Sequence, residues 1–330
     1  MTTIDTLPKN LLVRHPTMDN LSAVYDLLAI CSLAEFGDTE FTLEEFRIFW
    51  QSPGFNLETD AWIVTQLDGR IVGYADTEHQ EHARLYSFVR THPEYCGQGI
   101  ATHLLRLVEV HALEHIPLAA PDARVALFSW VYHGNEAARQ LLEKHGYAHI
   151  RSSWRMETEL EDVPPRPQWH EGITVRTFIP GQDDRMVFDA VDEAFQDHWG
   201  HMAGNFEEWQ NWRLNRENFD PSLWFLAFEG TEIAGCSLCR YIQEDIGWVD
   251  TLAVRRPWRR KGLGMALLLH SFSEFYRRGT RTVGLSVDSQ NLTGATRLYG
   301  RAGMHVTRQF DTYEKELRAG NELSTQSIEE

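Results

Sequence analysis

Residues 248–266 read WVDTLAVRRPWRRKGLGMA, and this stretch decides the fold. Trp248, Val249, Leu252 and Val254 give it strand character, because bulky and β-branched side chains suit a pleated run. Pro257 has no amide proton to donate and ends the ladder. Arg259, Arg260, Lys261, Gly262, Leu263 and Gly264 follow as a basic loop leading into a helix. Gly262 and Gly264 lack a β-carbon, so a ligand can approach the backbone closely there. The first amides of the following helix have no partner inside it and carry the positive end of its dipole. With three cationic side chains beside them, they offer a place for a pyrophosphate.

Worked outward, the pattern occurs twice. Gly99, in CGQGIA, answers Gly262 at an offset of 163. Arg14 answers Arg176 and Gly73 answers Gly235, both at 162, and Gly146 answers Gly303 at 157. Four segments in one order at nearly constant offset indicate a duplicated domain. Between the copies lies ELEDVPPRPQWHEG, where Pro164, Pro165 and Pro167 favour an extended connector. The resulting division is an N-terminal domain at 10–160, a proline-rich linker at 161–171, a C-terminal domain at 172–318 and a tail at 319–330. The polar ends, up to about Lys9 and from Arg318 onward, are expected to fray. Thr42 with Glu45 predicts a capping box, Asp68-Gly69 a hairpin turn and Gly146 a helix stop. Trp154–Leu160 and Thr312–Leu317 read as the last strand of each copy. The middle of each copy alternates strand, helix, strand, helix, which predicts an α/β (α+β) sheet flanked by helices.

The chain of 330 residues is long enough for two such domains, and 42% hydrophobic residues can build their cores. The net charge of −17 argues against nucleic acid as a partner, since phosphate neutralisation needs clustered basic residues. No apolar run is long enough for a membrane span, and no secretory signal is visible. Cys31, Cys96, Cys236 and Cys239 are too few for a disulfide framework, so a reducing, cytoplasmic setting is expected.

The basic loop after a strand and before a helix resembles the acetyl-CoA signature of the GCN5-related N-acetyltransferase (GNAT) superfamily, Arg/Gln-x-x-Gly-x-Gly/Ala, carried here by Arg259, Gly262 and Gly264. The downstream block DSQNLTGATRLYGRAGM is similar to the family's second block. The duplication resembles the tandem-domain type, the mycothiol synthase-like acetyltransferases. The resemblance implies two tandem acyl-CoA N-acyltransferase folds, each a mixed sheet whose fourth and fifth strands splay. It implies acetyl-CoA as cosubstrate, held by Leu252, Ala253 and Val254 of the fourth strand, by Arg259, Arg260, Lys261, Gly262, Leu263, Gly264 and Met265, and by Asn291. It also implies direct transfer of an acetyl group to a primary amine, with no metal.

Acetyl transfer to an amine needs a group that takes a proton from nitrogen and one that supplies a proton to the departing sulfur. Asp250 stands where the family often has its glutamate base. It is a carboxylate in an apolar strand, read either as the base, directly or through water, or as a sheet-edge or solvated Asp, or as a group that only binds the ammonium. Tyr299 stands where many members place a tyrosine close to the sulfur; it reads either as the acid, since a phenol with an ordinary pKa of about 10 is protonated at neutral pH, or as an aromatic packing on the CoA arm or the core. The segment AFQDHWGHMAGNFEEW offers Asp197, His198, Trp199 and His201 to a small polar acceptor, or forms a polar loop with core tryptophans. In the first copy Cys96 replaces the loop arginine, Ser87 takes the Asp250 position and Leu142 the Tyr299 position, while Asn135 is kept. The C-terminal copy is therefore expected to be catalytic and the N-terminal copy degenerate. A small-molecule amine is the expected acceptor. The alternatives are a protein N-terminus or lysine, or a non-catalytic acyl-CoA-binding protein, which would need neither Asp250 nor Tyr299. Cys236-x-x-Cys239 has no second pair, and His111-x-x-Glu-His115 has no third ligand in view, so neither reads as a metal site.

Overall fold

A computed structural model describes residues 7–39, 41–216, 219–243, 245–291 and 294–326. Much of the ends expected to fray, and residues 292–293 of the downstream block, lie outside the described residues. The described residues form two compact units. Unit 1 takes those up to Ile150 together with Phe310–Leu323; unit 2 takes Arg151–Gln309 and those from Ser324.

In chain order the elements of the first half are β1 (Leu11–Arg14), α1 (Leu21–Phe36), α2 (Leu43–Trp50), β2 (Ala61–Gln66), β3 (Ile71–Gln80), β4 (Arg84–Thr91), α3 (Ile100–Glu114), β5 (Val125–Tyr132), α4 (Glu136–Lys144) and β6 (Ala148–Glu159). The second half repeats them as β7 (Ile173–Thr177), α5 (Asp184–Phe195), α6 (Phe206–Leu214), β8 (Trp224–Glu229), β9 (Glu232–Gln243), β10 (Ile246–Val254), α7 (Leu263–Arg277), β11 (Thr282–Asp288), α8 (Ala295–Arg301) and β12 (His305–Arg318). The local signals are realised. Thr42 Oγ1 accepts from the Glu45 amide at 3.1 Å, while the Glu45 carboxylate accepts from the Thr42 amide at 2.9 Å. Gly69 and Gly146 take positive φ where the hairpin turns and α4 stops. Residues 160–170 hold neither helix nor strand.

In unit 1, β1, β2, β3 and β4 pair antiparallel in sequence order, and β5 joins β4 in parallel. In unit 2, β7, β8, β9 and β10 do the same, and β11 joins β10 in parallel. The strand beyond the parallel pair departs from the division drawn from sequence. β5 pairs with Phe310–Arg318 of β12, and β11 pairs with Ser153–Glu159 of β6. Each unit is thus completed by the last strand of the other repeat, where contiguous domains at 10–160 and 172–318 had been expected. The hydrophobic pattern identifies a strand and its faces but not a partner remote in sequence, and β6 and β12 serve either sheet equally well. The expected frayed end also differs. Thr325 exchanges backbone hydrogen bonds with Gly200 and His201 at 2.7 and 2.9 Å, and Arg318 donates to the carbonyls of Ile116 and Ala123.

Each sheet has a hydrophobic core on both faces. In unit 1, Leu104, Leu105 and Val108 of α3 pack on one face, and Val24, Leu27 and Leu28 of α1 with Trp50 of α2 on the other. In unit 2, Leu267, Phe272 and Phe275 of α7 and Tyr299 of α8 take one face, and Val187, Ala190 and Ala194 of α5 the other. The repeated glycine has a packing cause. A β-carbon on Gly235 would lie 2.6 Å from the Ala253 carbonyl and 3.2 Å from Leu267, and one on Gly73 would lie 2.7 Å from Ile100.

Candidate active site

The parallel strands part in both units, as the resemblance implied. β10 and β11 pair from Ile246 opposite Thr282 to Trp248 opposite Gly284, and no further among the described residues. Residues 249–254 keep β9 on one side only, so their other edge offers backbone groups to an extended ligand such as a pantetheine arm. In unit 1 the parallel pairs run from Arg84–Ala126 to Ser87–Ser129, and the Ser87 hydroxyl donates to the Phe128 carbonyl at 3.1 Å, tying the strands together at that point.

The ladders also locate Asp250. Val249 faces Cys239 and Thr251 faces Leu238, which makes Asp250 an extra residue on β10, a β-bulge. β3 and β4 pair without interruption from Gly73–Thr91 to Gln80–Arg84. Counted from the matched glycines, Thr77–Ser87 corresponds to Cys239–Val249. Ser87 therefore answers Val249, and Asp250 has no counterpart in unit 1. A bulge leaves its residue out of the ladder and re-aims its side chain, and here it does so where the fork opens. The Asp250 carboxylate accepts from Arg240 Nε at 2.9 Å, and Arg213 and Arg216 bring further guanidinium nitrogens to 3.3 and 3.8 Å. These three arginines escaped the sequence reading. The available signal was the spacing of Arg213 and Arg216, three residues apart at the end of α6 on a strongly acidic chain.

Next along the chain comes the basic loop. Gly262 is the N-cap of α7 at φ 79°, and Gly99 caps α3 at φ 83° in the same left-handed conformation. Arg260 also has positive φ, 63°, where unit 1 has Gly97 at 78°. That conformation crowds a β-carbon against the backbone, so the arginine is kept at a cost that glycine avoids. Arg260 and Lys261 are exposed beside the first amides of α7. Arg259 is placed differently. Its Nε donates to the Val254 carbonyl at 3.1 Å, its Nη2 to the Ala194 carbonyl at 2.9 Å, and its Nη1 to Asp197 at 2.5 Å. Arg256 grips the same carboxylate through two nitrogens. The Arg256 hydrogen bonds, with those of Arg259, hold the Asp197 pKa down to about 2 against the effect of burial. Asp197 and Arg259 thus form a clasp between the end of α5 and the loop.

The remaining acceptor candidates gather beside that clasp. The His198 ring lies 4.2 Å from that of Phe195, and burial and then Arg259 lower its pKa. Trp199 donates from Nε1 to Gln326 at 2.8 Å and lies under the Arg151 guanidinium. His201 Nε2 is 3.5 Å from the Asp192 carboxylate. Their backbone is covered by the segment around Thr325, so this loop is more enclosed than its polarity suggested.

Tyr299 sits on α8 in the core formed with α7, and Leu252 and Val254 pack against that core. A β-carbon on Gly264 would lie 3.2 Å from Leu298 and 3.7 Å from Val254, so this glycine lets α7, α8 and β10 converge. Burial pushes the Tyr299 phenol up to about 12, and among the described residues its hydroxyl has no hydrogen-bond partner. It is a protonated donor available to a ligand. Asn291 precedes α8 and accepts from the Ala295 amide at 3.3 Å. In unit 1 Asn135 caps α4 through the Ala138 amide and donates to Glu35 at 2.6 Å, and Leu142 is buried. Unit 1 nevertheless keeps a cavity of about 800 Å³ between its parted strands, lined by Val89, Thr91, Gly99, Trp130, Asn135 and Leu142 among others.

Comparison with known proteins points one way. The model of the acetyltransferase (GNAT) family matches residues 21–147 and 185–304. The chain is 31% identical over 250 residues to a mycothiol acetyltransferase of Streptomyces scabiei, covering 75% of each chain, and 30% identical over 252 residues to that of Streptomyces coelicolor, covering 76% of this chain and 77% of the other. Its structure is similar to a GCN5-related N-acetyltransferase from Sphaerobacter thermophilus, with a TM-score of 0.81 and 38% identity over 97% of this chain and all of the other. A tandem GNAT protein from the clavulanic acid biosynthesis pathway shares the fold at 15% identity, with a TM-score of 0.70 over 94% of this chain and 100% of the other.

Proposed function

The chain belongs to the acetyltransferase (GNAT) family, and from that premise we propose that its C-terminal repeat transfers an acetyl group directly from acetyl-CoA to the primary amine of a small molecule. The observation that carries this reading is the asymmetry of the two forks. Among the described residues, only the fork of unit 2 has a bulged carboxylate at its opening, a buried phenol on α8 and cations on its glycine loop.

The residues divide the work. The α7 amides, Arg260 and Lys261 receive the pyrophosphate of the cosubstrate, while Leu252, Ala253 and Val254 present the free edge of β10 to its pantetheine arm. Leu263, Gly264 and Met265 continue the loop into the helix, and Asn291 closes the other side. Arg259 acts one step back, holding the loop through Asp197. The carboxylate of Asp250 already has three guanidinium partners, so we assign it to orienting the amine and receiving its proton through a water. Nitrogen attacks the thioester carbonyl as the carbon–sulfur bond breaks, and Tyr299 gives its proton to the departing sulfur. His198, Trp199 and His201 border the acceptor.

The test is an amine-panel screen with acetyl-CoA that reads free thiol. We expect release that depends on a small primary amine and yields the N-acetyl product. Release only with peptide amines, or no amine-dependent release, overturns the reading.

A further inference from the structure

The HxxEH spelling at the end of α3 lacked a third ligand in the sequence, and unit 1 supplies two. β3 ends beside His79, and the turn that follows returns His82. Glu81 and His82 have positive φ, 51° and 54°, which residues with a β-carbon seldom adopt. The turn brings His82 Nδ1 to 2.8 Å from His115 Nδ1. The His79 ring stacks on His82 at 4.0 Å and lies 4.8 Å from that of His115. One ring nitrogen from each of the three lies within 4.8 Å of the others. His115 is buried, and the other two are half-buried.

The surroundings fit a cation better than a packing cluster. Two imidazole nitrogens at 2.8 Å cannot both carry a proton. At most one of these two nitrogens is an N–H, so the pair presents at least one lone pair to the space between the rings. Behind it, His115 Nε2 meets His111 Nε2 at 3.3 Å, and the same His111 atom lies 3.1 Å from the Asp60 carboxylate. Asp60 reaches the trio only through His111, which it fixes beside His115.

We propose that His79, His82 and His115 bind a divalent transition-metal ion of the zinc type in unit 1, with His111 and Asp60 as outer support. Zn–N bonds of about 2.0–2.1 Å set tetrahedral ligand nitrogens about 3.3 Å apart, so the close His82–His115 pair opens slightly as the third imidazole moves in, and a water fills the fourth position. Such an ion ties the β3–β4 turn to the end of α3. It takes no part in acetyl transfer.

The experiment uses the full chain, stripped with a chelator and titrated with Zn2+ by calorimetry and with Co2+ by absorption. We expect one ion per chain, four-coordinate Co2+ bands without a thiolate charge-transfer band, and a rise in Tm with Zn2+. His82→Asn, a residue that tolerates the left-handed turn, and His79→Gln should each weaken binding by about 30-fold or more, while His305→Gln leaves it unchanged. Circular dichroism checks that each variant folds. Weak binding of several ions, a thiolate band, or full affinity in both folded variants overturns the site.

Discussion

The two glycine loops share their backbone and differ in their side chains. Gly99 and Gly262 cap their helices within a few degrees of each other, and Gly97 and Arg260 share a left-handed φ. In unit 1 glycine adopts that φ without strain. In unit 2 an arginine is held there, exposed and next to Lys261. The forks repeat the contrast. Ser87 ties β4 to β5, whereas β10 inserts Asp250 and leaves its strand edge open. Duplication conserved the scaffold, and unit 2 departs from the least strained geometry at the points where ligand chemistry would be done.

Substitutions at the points where unit 2 differs from unit 1 break the contrast. The largest effect is expected for Tyr299, whose unit 1 counterpart is Leu142. Tyr299→Phe removes the proton donor and keeps the ring, so kcat should fall about 100-fold while the KM for acetyl-CoA changes little. The phenol, at about 12, stays protonated through the working range, so the alkaline limb of the parental pH profile should not report it. Asp250→Asn should lower kcat about 10-fold or more. It should also lower Tm, because Arg213, Arg216 and Arg240 lose a shared counter-ion. Arg260→Gly should raise the KM for acetyl-CoA about 3- to 10-fold, with Tm unchanged or higher by the strain relieved, about 1 kcal/mol.

The smallest effect concerns the clasp. A folded pKa of about 2 for Asp197 lies below its ordinary value of 3.8, so its pairing stabilises fully above the ordinary value and is lost as the pH falls through about 2. Asp197→Asn should remove that part of the acid dependence of Tm and raise the KM for acetyl-CoA two- to threefold at neutral pH, roughly what loosening one anchor of a loop does. An unchanged acid limb would detach Asp197 from the loop.

Much of this was legible in the chain because it is local. Glycines needing positive φ, the Thr42–Glu45 box and the strand–loop–helix passage depend on neighbours only. What escaped was non-local. The bulge showed itself only as a drift of the repeat offset from 162 at Gly235 to 163 at Gly262, and matching by that drift put Ser87 opposite Asp250. The exchange of β6 and β12 leaves no trace in hydrophobic alternation. Asp197 reads as a loop carboxylate until the fold brings Arg256 and Arg259 to it. The histidine trio is spread over β3, a turn and the C-cap of α3, at no spacing that a motif would catch. One helix is common to the legible and the illegible parts. α3 was expected from the repeat of the glycine loop that leads into it, but what its last turn meets was not.

The contrast between the units is tested most directly by single-turnover thiol release with an accepted amine, comparing Tyr299→Phe in unit 2 with Trp130→Ala in the cavity of unit 1. A loss of about 100-fold is predicted in the first and the parental rate in the second. A parental rate in Tyr299→Phe together with a large loss in Trp130→Ala would place the chemistry in the other unit and contradict it.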